Sequence, residues 1–236
     1  MILIDYNGVA IGNFLAMKMQ TDEDLLRHMV LNSIRMYRKK YSKEFGEIVV
    51  VADGTNNWRK RVFPQYKANR KKSREKSSVD WNEVFRILIS ADKDFAQLQI
   101  NSNVKQYSPM TKKLIVEKNP RTFLLEHVLK GDSSDGVPNV LSDDDVFVDG
   151  RRQTPLSAKK KAALMEDPLA LGEDVLRNIQ RNRTMIDLME LPETIKLDII
   201  NNYDSQDPTE NKSKVLNYLI NKRCRLLIES VGEFIL

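Results

Sequence analysis

The sequence predicts an α/β protein with a mostly parallel central sheet, followed by a helical C-terminal part. Three short apolar runs each end in an acid, namely ILID, IVVVAD and ILISADKD. Runs of this kind are typical of buried strands in a parallel sheet. A helical pattern separates the first two runs, and helical periodicity returns towards the C-terminus. These features predict β-α-β order in the first half of the chain and helices in the second.

The predicted elements follow one another in order along the chain. Strands are predicted from Ile2 to Asp5, from Ile48 to Asp53 and from Ile87 to Asp94. The helix between the first two strands begins after Thr21, a residue type that caps helices. Its apolar residues recur at helical spacing, namely Leu25, Leu26, Met29, Val30, Ile34 and Tyr37.

The last third of the chain is predicted to be helical. Two short helices with polar linkers are expected between about Arg151 and Ile186. Helical periodicity also covers Glu193 to Tyr203 and Lys212 to Phe234, with SQDPTENKS as a loop between them. The sequence has no glycine-rich phosphate loop of Walker type, so ATP hydrolysis has no support.

Acidic side chains gather at the ends of the predicted strands. Since the carboxyl ends of parallel strands meet at one edge of a sheet, we expect these acids to converge. They are Asp5, Asp53, Asp92 and Asp94. Crowded carboxylates repel one another unless a cation neutralises them, and their oxygen atoms favour Mg²⁺ or Mn²⁺. A helix cap or a turn is the alternative role for any one of them.

Other residue types offer less for metal or thiol chemistry. His28 and His127 lie on helical patterns, where a surface or core role is expected in place of metal ligation, which disfavours zinc. Cys224 is the single cysteine, so a semi-buried packing role without an internal disulfide is expected. No apolar run reaches the ~18 residues that span a bilayer. The N-terminal stretch predicts a strand and not a signal peptide, so we expect a soluble intracellular protein without a membrane role.

Basic charge is concentrated in one segment. Arg59 to Lys76 contains nine basic residues and one acid, a local charge of +8 in a chain of formal net charge +5. Phe63 and Tyr66 stand among these cations, which favours nucleic acid, because phosphates attract the charge and bases stack on rings. A solvated loop is the alternative. Acids that hold metal ions beside cations that hold phosphate suggest phosphodiester cleavage.

A further stretch, LKGDSSDGVPNV, sets Asp132 and Asp135 three residues apart just past a helical run. It follows LIDYNG, VADGTNNWRK, FPQYKANRKK, ISADKDFAQL and VKQYSPMTKK in that order. This series resembles the 5′-nuclease (flap endonuclease) family, most closely its ribonuclease H branch from T4-like phages and cyanophages. The resemblance covers nearly the whole chain, including the tail NKSKVLNYLINKRCRLLIESVGEF.

The resemblance implies a PIN-like central sheet, a basic helical arch at about residues 58–80 and a helix-turn-helix variant that grips duplex DNA. It implies a nuclease core over residues 1–118 and a helical DNA-binding part over residues 119–236. The implied function is that of a 5′→3′ exonuclease, flap endonuclease and ribonuclease H that removes RNA primers and 5′ flaps in phage DNA replication. Its substrates would be DNA and RNA:DNA duplexes with 5′ ends or flaps. A monomer in the cytoplasm of the infected host is expected, with a phage single-strand DNA-binding protein as partner.

The resemblance also assigns site residues by matching motifs. It implies two Mg²⁺ ions, with Mn²⁺ as a substitute, the first held by Asp5 and Asp53. Asp92, Asp94, Asp132 and Asp135 would lean towards the second ion. The expected catalytic residues are Asp5, Asp53, Lys67 and Arg70, with Lys67 stabilising the developing charge. Nucleic-acid contacts are expected from Arg59, Lys60, Arg61, Tyr66, Lys67, Arg70, Lys71, Lys72, Arg74, Gly131 and Gly136.

The chain departs from the family pattern in two places. LSDDDVFVDGRR replaces the glycine-rich continuation after the acid pair, as in the phage branch. The family's further strand and helix with a Glu-Ala-Asp-Asp motif is absent, because DWNEVFR runs directly into ILISADKDF, and only Glu83 lies nearby. Fewer carboxylates bind metal more weakly, so a catalytically impaired, structure-selective DNA-binding relic is the alternative function. A PIN-type ribonuclease is a third, against which the basic arch and helical C-terminal third argue.

Overall fold

Helices and two small sheets make up the computed structural model, which describes residues 1–17, 22–51, 57–68, 92–102, 104–206 and 212–235. None of the helices in these ranges is both long and apolar enough to cross a membrane. The elements are β1 Ile2–Asp5, α1 Tyr6–Ala16, α2 Glu23–Phe45, β2 Ile48–Val51, α3 Arg59–Val62, a 3₁₀ helix Lys93–Ile100, β3 Gln106–Ser108, β4 Lys113–Ile115, α4 Pro120–Lys130, α5 Ala158–Glu166, α6 Glu173–Ile186, α7 Glu193–Asp204, α8 Lys212–Asn221, α9 Arg225–Ile228 and a 3₁₀ helix Val231–Phe234.

The predicted β-α-β unit is confirmed, with α1 as an additional helix. β1 and β2 pair in parallel, so that Ile2 lies opposite Ile48 and Asp5 opposite Val51. Apolar residues of β1, α1 and α2 form one core, namely Ile4, Tyr6, Val9, Ala10, Phe14, Met17, Leu26 and Val30. The N-cap of α2 is Asp22 and not the predicted Thr21, because the Asp22 carboxylate accepts the backbone N–H of Leu25 at 2.9 Å.

The sheet differs from the expected buried, mostly parallel one. Within the described ranges the strands form a parallel pair, β1 and β2, and an antiparallel pair, β3 and β4. Leu3 and Val51 are exposed, because α1 and α2 pack on the other face of the sheet, which carries Ile4. The predicted third strand, Ile87 to Asp94, lies mostly outside the described residues, and its final residues begin the first 3₁₀ helix.

The chain after residue 57 packs on the C-terminal helices. Phe63 and Tyr66 share a core with four residues of α4, α6 and the loop after α4, namely Val128, Val137, Met185 and Ile186. The first 3₁₀ helix is held to the end of α6, because the Gln97 amide donates to the Ile186 carbonyl at 3.1 Å. Residues 57–68 and 93–100 are therefore fixed to one body with α4 and α6, around the loop that follows α4.

The C-terminal end packs on α2. The predicted helix from Lys212 to Phe234 is divided into α8, α9 and a 3₁₀ helix, with Arg223 in the left-handed region at φ +53°. Cys224 is buried in a core with Leu219, Leu227 and Val231, which confirms its packing role. Glu233 forms ion pairs with Arg35 and, at 2.8 Å, with Lys39 of α2.

Candidate metal centre and adjoining basic segment

Two carboxylates and one imidazole meet beside the end of α4. One ligand atom from each of Asp94, His127 and Asp132 lies within 4.8 Å of the others. His127 Nδ1 is 3.6 Å from Asp94 Oδ1, and His127 Nε2 is 3.4 Å from Asp132 Oδ2. The first 3₁₀ helix supplies Asp94, α4 supplies His127 and the loop after α4 supplies Asp132.

The loop after α4 owes its shape to Gly131. This residue caps α4 with φ +68°, a region that side chains rarely adopt, and its N–H binds the His127 carbonyl at 2.9 Å. A Cβ atom here would lie 2.4 Å from the Pro138 carbonyl oxygen. The backbone then turns back, and the Val137 N–H binds the Asp132 carbonyl at 2.8 Å. The close packing of Gly131 fixes the position of Asp132.

Gly131 and Gly136 are both buried, while Ser133 and Ser134 of the same loop are exposed. The resemblance implies nucleic-acid contacts from both glycines, and this stays a prediction. Their glycine identity fits the positive φ of +68° at Gly131 and +75° at Gly136.

The two acids of the cluster have opposite electrostatic environments. Burial, and next the charge of Asp92, raises the pKa of Asp94 to about 6. Burial also acts to raise the pKa of Asp132, but the His127 ring, the Ser134 hydrogen bonds and the Lys93 ammonium outweigh it and hold that pKa well below its usual range. Lys93 Nζ lies 3.2 Å from Asp132 Oδ2. A positive charge therefore already stabilises the Asp132 carboxylate, whereas a bound cation would stabilise the ionised form of Asp94 most.

Three atoms of the cluster are buried without a hydrogen-bond partner in the described part of the chain, namely Asp94 Oδ1, His127 Nδ1 and His127 Nε2. A buried polar atom that lacks a partner costs free energy, so such atoms commonly mark a missing ion or water. Two carboxylates and an imidazole can bind a divalent cation, and the donor set fits one. Sequence reasoning missed His127 as a cluster member, although its place five residues before Asp132 at a helix end was a usable signal.

Asp135 of the same loop is bound to the basic segment. The Tyr66 hydroxyl donates to Asp135 Oδ2 at 2.7 Å, and Lys67 Nζ lies 3.3 Å from that oxygen. The Lys67 backbone N–H also donates to the Asp135 carbonyl at 2.6 Å. Burial, and then the Asp135 charge, raises the pKa of Tyr66 far above its usual range, so the phenol stays a donor. The start of the basic segment is thus held against the loop after α4, which carries Asp132 and Asp135 and is called the acid loop below.

The aromatic residues of the basic segment are placed differently from the expectation. Phe63 and Tyr66 are 3% and 6% exposed, so their rings fill a core and are not open to stack on bases. Lys60 and Arg61 are exposed, while Arg59 donates from Nε to the Met185 carbonyl at 2.9 Å. The aromatic rings therefore form the buried side of this segment, and Lys60 and Arg61 lie on its solvent side.

Asp5 and Asp92 occupy helix starts, as the alternative role for these acids proposed. Asp5 at the end of β1 accepts the Gly8 N–H at 3.4 Å, and Asp92 accepts the Asp94 N–H at 3.0 Å. Both have further interactions, and neither belongs to the group of three ligands. The remaining predicted site residues lie outside the described residues, namely Asp53, Arg70, Lys71, Lys72 and Arg74, as does Glu83.

The acidic stretch that follows the site is largely neutralised by arginines. Arg151 pairs with Asp143 at 2.8 Å, with Asp149 at 3.2 Å and with Asp145. Asp144 pairs with two arginines of α6, Arg177 and Arg181. These ion pairs fold the stretch onto α6, so its carboxylates are engaged within the protein.

Comparison with known proteins adds two similarities. Residues 119–234 match the model of the family described as T4 RNase H, C terminal. The protein named ribonuclease H from Enterobacteria phage T4 is 27% identical, over 98% of this chain and 95% of that relative. The alignment extends over 291 positions, although this chain has 236 residues, so at least 55 aligned positions (291 less 236) have no residue here. The chain is therefore shorter than the relative within the aligned region.

Proposed function

Because residues 119–234 match the family described as T4 RNase H, C terminal, and the chain is similar to the ribonuclease H of phage T4, we propose that it is a metal-dependent 5′ nuclease of the 5′-nuclease family. Its proposed activities are those of a 5′→3′ exonuclease, a flap endonuclease and a ribonuclease H. The proposed substrates are DNA and RNA:DNA duplexes with 5′ ends or flaps. Its role would be to remove RNA primers and 5′ flaps during phage DNA replication, in the cytoplasm of the infected host.

One observation carries this proposal: the acid loop connects a cation-binding cluster to the basic segment. Asp132 faces His127, and three residues later Asp135 binds Tyr66 and Lys67. Cleavage of a phosphodiester needs a cation site and a means of holding the anionic strand beside it. The short separation of Asp132 and Asp135 along this loop supports the proposal that both functions lie next to each other.

The residues present fit a divalent cation, since the unpartnered Asp94 Oδ1 and the neighbouring carboxylates form an anionic, oxygen-rich site. Mg²⁺, with Mn²⁺ as a substitute, is the proposed cofactor. Two ions are proposed, one on Asp5 and Asp53, and the other on the group of Asp92, Asp94, Asp132 and Asp135. When bound, such ions polarise the phosphate and lower the pKa of a bound water.

The chain's own cations would hold and orient the strand. Lys67 has its ammonium at the acid loop, where it can stabilise negative charge on a phosphate. Lys60 and Arg61 are exposed on the same segment and would bind the backbone of the 5′ strand, together with Arg59, Arg70, Lys71, Lys72 and Arg74. Tyr66 would hold Asp135 beside Lys67. It would not stack on a base, because its ring is buried.

The wider architecture of the family is proposed for the remainder of the molecule. It comprises a larger parallel central sheet, a helical arch over about residues 58–80 and a helix-turn-helix variant in the C-terminal part. The division into residues 1–118 and 119–236 is supported by the start of the family match at residue 119. A monomer that contacts a phage single-strand DNA-binding protein is proposed from the same relationship.

A catalytically impaired, structure-selective DNA-binding protein is the second candidate. The shorter length within the aligned region favours it, since the Glu-Ala-Asp-Asp motif is missing from the sequence. Both candidates would bind DNA in a salt-dependent way, but only the nuclease needs a divalent ion for turnover.

Cleavage of a 5′-labelled flap and of an RNA:DNA hybrid tests the proposal. We expect products with Mg²⁺, none with EDTA, and large losses in the Asp92→Ala and Asp94→Ala variants. Asp198→Ala, at an exposed position on α7, is the matched control and should cleave like the parent protein. A folded protein that binds the flap without cutting it under any divalent ion would contradict the nuclease and support the binding protein.

A further inference from the structure

We propose that His127 is a nitrogen ligand of the cation site, binding the ion together with Asp94, and that it makes the site prefer a first-row transition-metal ion such as Mn²⁺ to Mg²⁺. This inference rests on the proposed function for the presence of a metal ion. It adds to that function a nitrogen ligand, His127, and a preference for Mn²⁺ over Mg²⁺.

The His127 side chain is buried and aimed into the acidic cluster. It is 7% exposed, and Nδ1 has no hydrogen-bond partner in the described part of the chain, while Nε2 faces the Asp132 carboxylate at 3.4 Å. The Phe123 ring packs against it edge to face, with ring centroids 5.8 Å apart, which restricts rotation of the imidazole. A neutral imidazole has one donor and one acceptor nitrogen, and a buried acceptor without a partner costs free energy. A bound cation would satisfy this ring.

The surroundings of the two nitrogens indicate which one binds the ion. On the Nε2 side, Asp132 already has Lys93 Nζ at 3.2 Å and the Ser134 N–H at 2.9 Å. On the Nδ1 side, Asp94 Oδ1 is buried without a hydrogen-bond partner in the described residues. Ligand bonds to such ions are about 2 Å long, so two atoms 3.6 Å apart can share one ion.

Asp132 also positions the ring, besides its proposed place in the group that binds the second ion. Its Oδ2 atom lies 3.4 Å from His127 Nε2, where it can accept the Nε2–H and so leave Nδ1 as the free lone pair. Carboxylate partners of this kind fix the tautomer and orientation of metal-bound histidines. The Ser134 amide and the Gly131 turn hold Asp132 in place, so the ring is oriented by the rigid loop and not by the ion alone.

The nitrogen ligand sets the metal preference. Mg²⁺ selects oxygen ligands and keeps much of its hydration, whereas imidazole nitrogen suits transition-metal ions. A site with one imidazole ligand therefore binds Mn²⁺ more tightly than an all-oxygen site does. Its affinity for Mg²⁺ is nearly the same as that of the all-oxygen site. Loss of the imidazole should lower the affinity for Mn²⁺ about tenfold or more and leave the affinity for Mg²⁺ within about threefold.

Electron spin echo envelope modulation of bound Mn²⁺ tests the ligand directly, because it detects nitrogen bonded to the ion. The chain has two histidines, so the His28→Gln variant carries only His127. We expect this variant to show ¹⁴N modulation that changes to a ¹⁵N pattern when the protein is grown on ¹⁵N-histidine. Absence of nitrogen coupling from Mn²⁺ bound to this folded variant would overturn the proposal, whether or not any His127 variant folds.

The His127→Gln variant provides the second measurement. Mn²⁺ and Mg²⁺ affinities are measured by titration for this variant and for His28→Gln, with circular dichroism as the check on folding. A selective loss for Mn²⁺ in His127→Gln supports the proposal, and equal changes for both ions contradict it. Cleavage assays separate the proposed nuclease function from the proposed role of His127. Cleavage without nitrogen coupling would support the nuclease and exclude His127 as a ligand. Nitrogen coupling without cleavage would support the ligand and contradict the nuclease.

Discussion

Tyr66 and Asp135 form a buried hydrogen bond of 2.7 Å between residues that lie 69 positions apart in sequence. The same Asp135 oxygen lies 3.3 Å from Lys67 Nζ. This contact joins the start of the basic segment to the loop that carries Asp132. A nucleic-acid strand held by these cations, as proposed, would therefore lie next to the cluster of Asp94, His127 and Asp132.

The Tyr66→Phe variant should be less stable than the parent protein in EDTA. Removing the hydroxyl takes a buried donor from a charged acceptor, which costs about 1–3 kcal/mol in the free energy of unfolding. Urea denaturation followed by circular dichroism measures this difference. Tyr218→Phe, at an exposed position on α8, is the matched control and should change stability by less than about 0.5 kcal/mol. Equal stability of the two variants would show that the hydrogen bond contributes nothing measurable.

Alanine at Gly131 should be far more costly than alanine at Gly150. Both residues have nearly the same φ, +68° and +69°, so the backbone strain of about 1 kcal/mol is shared. Only at Gly131 would the new Cβ meet the Pro138 carbonyl, at 2.4 Å, while nothing lies within 4 Å of it at Gly150. We expect Gly131→Ala to lose at least about 2 kcal/mol more in urea denaturation. Matching losses would mean that the loop after α4 relaxes around the added methyl group.

Replacement of Asp94 by asparagine should stabilise the metal-free protein at high pH. Burial, then the Asp92 charge, raises the pKa of Asp94 from 3.8 to about 6, so the folded state binds a proton that the unfolded chain releases. The ionised carboxylate therefore destabilises the fold above pH 6, and this penalty fades as the pH falls from about 6 to 4.

In EDTA at pH 8, Asp94→Asn is expected to raise the free energy of unfolding by about 1–3 kcal/mol, with no gain left near pH 4. Urea denaturation at both pH values measures it. Asp198→Asn, at an exposed position on α7, is the control and should change the free energy of unfolding by less than about 0.5 kcal/mol. A loss of stability at pH 8 in Asp94→Asn would rule out this account of the cluster.

The Lys67→Met variant should slow cleavage more than it weakens binding. If the ammonium stabilises charge that develops on the phosphate, its loss lowers the single-turnover rate about 100-fold. One lost cation among many should weaken flap binding only a few-fold at constant salt. Lys43→Met, at an exposed position on α2, is the control for the loss of a positive charge. A variant that binds ten times more weakly but cleaves bound flap at the parent rate would reassign Lys67 to strand binding.

Elements with strong local signals were predictable. Short apolar runs located β1 and β2, and helical periodicity located α2 and the C-terminal helices, while two short helices were expected between Arg151 and Ile186. The break near Arg223 was not predictable, because a left-handed residue within a periodic helical pattern leaves no trace in hydrophobicity. The exposed face of β1 was missed for a related reason, since a continuous apolar run has the same sequence pattern whether one face of the strand or both are covered.

By itself, the sequence determined the resemblance to the 5′-nuclease family, the residue types of the candidate site and the concentration of basic charge between Arg59 and Lys76. Only the tertiary structure decided how these residues are used. It placed His127 between two carboxylates, buried Phe63 and Tyr66, and bound Asp135 to Lys67. The physical reason is that periodicity and composition act over a few residues, whereas burial and ion pairing depend on which distant segments pack against one another.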